Sequence, residues 1–133
     1  MKKSDLPNSK QKRRLLYDKK VPRERLIASG ELFLRAGRLH EAAELFARAD
    51  HREGLEQLRS LAIDEGDSFL YRVASKGSAD GGRAAEMWVA LGKKAMELKK
   101  YTHAVRAFRE AGNADLLKAA EEALKEVVSV DKT

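Results

Sequence analysis

Shifted against itself by 62 residues, the chain pairs Leu26 with Trp88, Gly30 with Gly92, Leu39 with Tyr101, Ala42 with Ala104, Phe46 with Phe108 and Ala49 with Ala111. Only seven of 42 positions are identical between 23–64 and 85–126, but the coincidences are of one kind. Small residues are required where two antiparallel helices approach closely, and large ones where the gap between them widens. Gly30, Gly92, Ala42, Ala104, Ala49 and Ala111 supply the first kind. Phe46, Phe108, Trp88 and Tyr101 supply the second, with Phe33 on the packed face of its own helix. A chain carrying this pattern twice is constrained to fold as repeated helix hairpins.

The local signals agree. From Val21 onward the apolar spacing is helical, without the period-2 alternation of strands. Gly37, Gly66, Gly77 and Gly112 fall where helices would stop, each free to take the left-handed conformation that closes a helix. Pro22 suits a first turn, Asp50 with Glu53 resembles a capping box, and Asp67, Asp80 and Asn113 are candidate caps. The resulting expectation is all-α, with seven helices at 22–36, 39–49, 51–64, 67–76, 82–98, 101–111 and 113–128. The stretch from Lys76 to Gly82 is the one glycine-rich linker and is expected to be flexible.

Residues 85–111 resemble the tetratricopeptide repeat, a helix-turn-helix unit of about 34 residues with the pattern W-x2-L-G-x2-Y, A-x3-F and A. Trp88, Leu91, Gly92, Tyr101, Ala104, Phe108 and Ala111 match it in order, with Ala95 where tyrosine is usual. At 23–49, Leu26 and Ser29 replace the first two signature residues, and Gly30, Phe33, Leu39, Ala42, Phe46 and Ala49 follow at family spacing. The chain departs from the family in its central segment 57–84, which contains no third copy, and in having Gly54 and Leu116 where proline is usual. A tetratricopeptide-like helical-repeat domain with a shortened, divergent central helix pair is therefore expected.

The resemblance implies a concave face built from the first helix of each unit, here presenting Glu24, Ile27, Glu31, Leu34 and Arg35, then Glu86, Val89, Lys93, Met96 and Glu97. Family members that hold chaperone C-terminal carboxylates use lysine, asparagine and arginine there. No asparagine occupies these positions, so that specialised role is not expected. An apolar stripe with a mixed-charge rim suits a peptide or an amphipathic partner helix. Alternatively the stripe is covered from within, by Leu15, Leu16 and Tyr17 or by the fourth helix with Phe69, Leu70 and Val73, or by a second copy in a homodimer.

Charge divides the chain. The 27 basic and 21 acidic residues give +6, and residues 1–20 alone hold eight basic side chains against two acidic ones. The expected organisation is a basic, flexible arm over 1–20 on a formally neutral helical domain over 21–133. Lys10, Lys12, Arg13, Arg14, Lys19 and Lys20 are the candidate polyanion contacts of that arm. Three readings stay open: a solvated tail, a nucleic-acid or ribosome contact, or an anionic membrane surface. No zinc-finger spacing or base-reading motif accompanies the charge.

The absence of cysteine excludes disulfide frameworks, Cys-ligated metals and thiol nucleophiles. No apolar run approaches a membrane span or a signal peptide, so a soluble cytoplasmic protein is expected. Chemistry-bearing constellations are sparse. His40 and Glu44 share a face at i, i+4 but lack the second histidine of a zinc motif, while His51 and His103 stand elsewhere. Asp64 to Asp67 reads as a helix end followed by a cap, and Gly77 to Gly82 lacks the lysine of a phosphate loop. No catalytic residue, metal or cofactor is expected, and the function implied is a protein-interaction adaptor, with a nucleic-acid- or ribosome-associated adaptor as the alternative.

Overall fold

The computed structural model describes residues 6–131, in which all regular structure is helical: α1 (Ser9–Tyr17), α2 (Arg23–Arg35), α3 (Leu39–Arg48), α4 (Arg52–Glu65), α5 (Ser68–Ala74), α6 (Ala85–Glu97), α7 (Tyr101–Ala111) and α8 (Ala114–Asp131). Seven of these match the expected segments. The eighth, α1, lies within the segment read as an arm. It starts at a reciprocal capping box, in which the Gln11 amide donates to Asn8 Oδ1 and the Asn8 amide to Gln11 Oε1, both at 2.9 Å. Leu15, 4% exposed, anchors α1 in the core, with Leu6, Leu16 and Val21 packed around it. Arg48 also donates to the Asp18 carbonyl at its far end. Lys2, Lys3 and Asp5 lie outside the described residues.

Packing repeats with the sequence. Helix α2 packs on α3 as α6 does on α7, α3 on α4 as α7 on α8, and α1 on α3 as α5 on α7. The chain is thus two four-helix units, α1–α4 and α5–α8, joined where α5 and α6 meet α3 and α4. The same atoms meet in both units. A Cβ on Gly30 would lie 2.5 Å from Phe46 Cε1, and one on Gly92 would meet Phe108 in the same way. Only glycine admits these rings so close to the helix backbone.

The turns are duplicated too. Arg38 donates its amide to Phe33 O at 2.9 Å and Lys100 to Ala95 O at 2.8 Å; His51 donates to Phe46 O at 2.9 Å and Asn113 to Phe108 O at 3.1 Å. These are the six-to-one bonds of Schellman ends. Each needs a left-handed residue, and glycine alternates: Gly37 (φ 78°) matches Lys99 (φ 62°), and Asp50 (φ 51°) matches Gly112 (φ 71°). Asp50 therefore terminates α3 and is not a capping-box residue; the cap position of α4 is His51, whose side chain makes no capping bond. Lys99→Gly is expected to stabilise the protein by about 1 kcal/mol, because the left-handed penalty of roughly 1–2 kcal/mol exceeds glycine's extra unfolded-chain entropy. Asp50→Gly should gain less, since aspartate tolerates this region. Chemical denaturation of the two single variants checks the order.

The Lys76–Gly82 stretch is tied down. Ser78 Oγ donates to Ser75 O at 2.6 Å, Asp80 Oδ1 accepts from Ser78 Oγ and the Gly82 amide at 2.9 Å each, and Trp88 Nε1 donates to Gly82 O at 2.6 Å. Asp80 thus organises its own loop and does not cap α6, which starts at Ala85. Gly66 (φ 63°) does close α4, and Asp67 does cap α5, accepting from the Leu70 amide at 3.0 Å.

Candidate functional site

Ile27 and Leu34 on α2, and Val89 and Met96 on α6, are all half-buried, Ile27 and Leu34 packing against the main core and Met96 against the smaller cluster of α6, α7 and α8. Their charged neighbours Glu24, Glu31, Arg35, Glu86, Lys93 and Glu97 are exposed. The two sets sit at equivalent places in the two units and on different helices, with α3 as the main packing partner of α2, and α7 and α4 as those of α6. The segments that offered internal cover pack elsewhere. Helix α1 lies on α3, bordering a cavity of about 440 Å³ against Arg25, Ser29 and Leu32, while α5 lies on α3, α4 and α7.

The basic residues of the N-terminal segment divide between helix and turn. Lys10, Arg13 and Arg14 project from α1, Lys19 and Lys20 follow it, all exposed, and Lys12 pairs with Glu41 of α3 at 3.4 Å. That pair begins a row of polar links across α1, α3, α5 and α7. His40 Nε2 lies 3.1 Å from Asp67 Oδ2, Ser68 Oγ lies 2.8 Å from His103 Nδ1, and Arg72 pairs with Glu110 at 2.5 Å.

The Ser68–His103 contact has the look of a nucleophile and its base, but the hydrogen bonds assign it another role. His103 Nδ1 also accepts the Ser68 backbone amide at 3.0 Å, so the ring is neutral with its proton on Nε2, and it caps the start of α5 from outside the helix. Burial pushes His103 below the ordinary histidine value, against the pull of Asp67, with Lys100, Arg106 and His40 acting in the same direction as burial. Burial would raise the Asp67 carboxyl, but the Leu70 amide and the His40 imidazole outweigh it and hold Asp67 below the usual carboxylate range. The nearby Asp directs its carboxylate to His40 and to its own helix, and Ser68 is 3% exposed, which gives a substrate little access to its hydroxyl.

His40 is therefore engaged with Asp67 and not paired with Glu44 as a metal ligand. Among the described residues no three His, Asp or Glu side chains converge as a metal site, and no helix is long and apolar enough to cross a membrane. Sequence reasoning missed the Ser68–His103 cap and a cluster of Arg72, Arg106 and Arg109 beside Phe69. These residues come from two helices some 35 positions apart, and no local pattern joins them. No protein-family model, curated protein or solved structure matches this chain.

Proposed function

We propose that this chain is a non-enzymatic protein-interaction module of the tetratricopeptide-like kind, in which the outer faces of α2 and α6 hold an amphipathic helix or peptide of a protein partner. One observation carries this reading. At the 62-residue shift Ile27 corresponds to Val89 and Leu34 to Met96, so an apolar pair recurs outside the Gly–Phe contact that locks each hairpin. The rim around it is shared at one place, Glu24 with Glu86, and altered at two, Glu31 with Lys93 and Arg35 with Glu97. A repeated apolar stripe with a non-repeated charged rim is suited to anchor a partner and to fix its register.

The test compares the intact chain with Val89→Asp/Met96→Asp and with the rim reversals Glu24→Lys and Glu86→Lys, each used to capture partners from a lysate of the source organism. Anchor loss of about 2 kcal/mol, or roughly thirtyfold in affinity, should release the specific partner from the aspartate variant. The exposed rim reversals should weaken the same partner less, and mostly at low salt. A partner that stays bound through all of these, with helical circular dichroism unchanged, refutes this surface.

A further inference from the structure

The basic excess of the chain falls on one layer, half of whose basic side chains belong to α1. Helices α1, α3, α5 and α7, each packed on the next, carry eight basic and three acidic side chains, whereas α2, α4 and α6 carry seven basic and eight acidic. Both exposed aromatic side chains among the described residues, Tyr17 at 75% and Phe69 at 45%, also belong to the basic row.

Each lies among cations. Tyr17 ends α1, next to Arg13, Arg14, Lys19 and Lys20. Phe69 borders a cavity of about 100 Å³ with Arg72, Arg106, Arg109 and Glu110, and the Arg106 guanidinium lies over its ring, 4.4 Å from the centroid. Glu110 pairs with Arg72, and no carboxylate among the described residues pairs with Arg106 or Arg109.

The duplication supplies a control within the chain. At the positions of Arg106 and Arg109 the first unit has Glu44 and Ala47, yet it forms the same hairpin. The two arginines are therefore not needed for the fold. As like charges at i, i+3 they repel each other, and a bound anion would relieve that repulsion.

We propose that the face formed by α1, α3, α5 and α7 binds single-stranded nucleic acid. Phe69 stacks on a base, Arg106 and Arg109 hold neighbouring phosphates, and the strand crosses α3 toward Lys10, Arg13 and Tyr17, which share one face of α1 at i, i+3 and i+7. An isolated phosphate group needs only the arginine cluster. Two cation and aromatic sets separated by α3, roughly 20 Å apart at helix-packing distances, fit a polymer carrying both charge and flat bases. A duplex keeps its bases stacked on one another, so the exposed rings favour a single strand. Glu41 on the path is already paired with Lys12 and Arg38, which leaves Glu44 and the α5 cap Asp67, beside His40, as the opposing charges. This surface lies on different helices from the α2 and α6 stripe, and the proposal does not depend on that stripe being an interface.

The experiment is fluorescence anisotropy of the full chain with fluorescein-labelled oligo(dT) and oligo(U) of about 15 nucleotides, between about 50 and 200 mM salt. Arg106→Ala/Arg109→Ala should weaken binding about tenfold or more at the lowest salt and flatten the slope of log K against log salt by about 1.4, the contribution of two phosphates on a single strand. Phe69→Ala should weaken it about tenfold with the slope unchanged, while Phe69→Tyr restores it. Glu44→Lys should tighten binding and steepen the slope. A duplex of equal length should bind more weakly and ignore Phe69→Ala. Val89→Asp/Met96→Asp, if folded, should bind the oligonucleotides as the unaltered chain does, which separates failure of this site from failure of the protein interface. The proposal is overturned if the unaltered chain shows no saturable binding at low salt, or if the double arginine variant keeps its affinity. It is overturned equally if Phe69→Ala has no effect while inorganic polyphosphate competes as well as the oligonucleotides, which would make the face a general anion surface.

Discussion

Phe46→Ala is expected to destabilise the protein by about 3–5 kcal/mol, the usual cost of emptying a buried phenyl site, out of a total that for a domain of this kind is about 5–15 kcal/mol. The midpoint of thermal unfolding should fall on the order of 10–20 °C. The ring is 1% exposed and is enclosed by two glycines: added Cβ atoms on Gly30 and Gly54 would lie 2.5 Å and 2.7 Å from its atoms. It also meets the His51 ring edge-on at 5.0 Å between centroids. One side chain thus fastens α3 to both α2 and α4. The reciprocal change isolates the contact. Gly30→Ala alone should cost about 1–3 kcal/mol through overpacking. In the Phe46→Ala background it should stabilise by up to about 1 kcal/mol, because alanine then adds helix propensity with no ring to displace. Additive energies in this cycle would show that the close approach is not what selects glycine. Gly92 and Phe108 should give the same signs.

The parts of this architecture that were legible in the sequence are those set by short-range chemistry. Gly37, Gly66 and Gly112 mark helix ends because a left-handed turn rejects most side chains, and Asp67 and Asn113 cap because their oxygens reach the third amide onward; all five act as read. Helix α1 was hidden behind its charge. Lys10, Lys12, Arg13 and Arg14 resemble a solvated tail, and only Leu15 and Leu16, with the Asn8 to Gln11 spacing, indicated a docked helix. The left-handed Lys99 and Asp50 have no signal of their own. They become visible when the 62-residue shift is applied to Gly37 and Gly112, since duplicated geometry demands the same backbone whatever residue stands there. The polar links between His40 and Asp67, and between Ser68 and His103, arise from helix stacking and leave no spacing to read.

The same physical distinction separates the two faces. Residues that lock the hairpins recur between units because any departure opens a void or a clash, and Gly30, Gly92, Phe46 and Phe108 are of this sort. Surface residues are released from that demand. Glu44 against Arg106 and Ala47 against Arg109 differ in charge and size within one backbone geometry, so whatever holds the arginines in place acts from outside the hairpin core.

Trp88→Ala should be comparably damaging, costing about 3–5 kcal/mol, for a reason that concerns the connection from α5 to α6. Trp88 is 2% exposed, stands edge-on to Tyr71 of α5 at 4.7 Å between centroids, and bonds through its indole N–H to Gly82. The first unit manages with Leu26 at the equivalent place. There the connection from α1 to α2 is the short stretch 18–22, whereas α5 and α6 are joined by 75–84, twice as long and containing Gly77, Gly81 and Gly82. A longer, glycine-rich connection loses more conformational entropy on ordering, and the indole supplies both a wall and a hydrogen-bond donor to hold it. Trp88→Leu, which installs the residue of the sister unit, should therefore recover part of the packing energy and none of the restraint on the loop. Hydrogen exchange separates the two contributions. In Trp88→Leu the amides of Gly82 and Arg83, held now by Asp80 side-chain and backbone oxygens, should exchange markedly faster while those of α2 and α3 keep their protection. Unchanged exchange at Gly82 and Arg83 would reduce the indole to a space-filling role and leave the loop held by Asp80 and Ser78 alone.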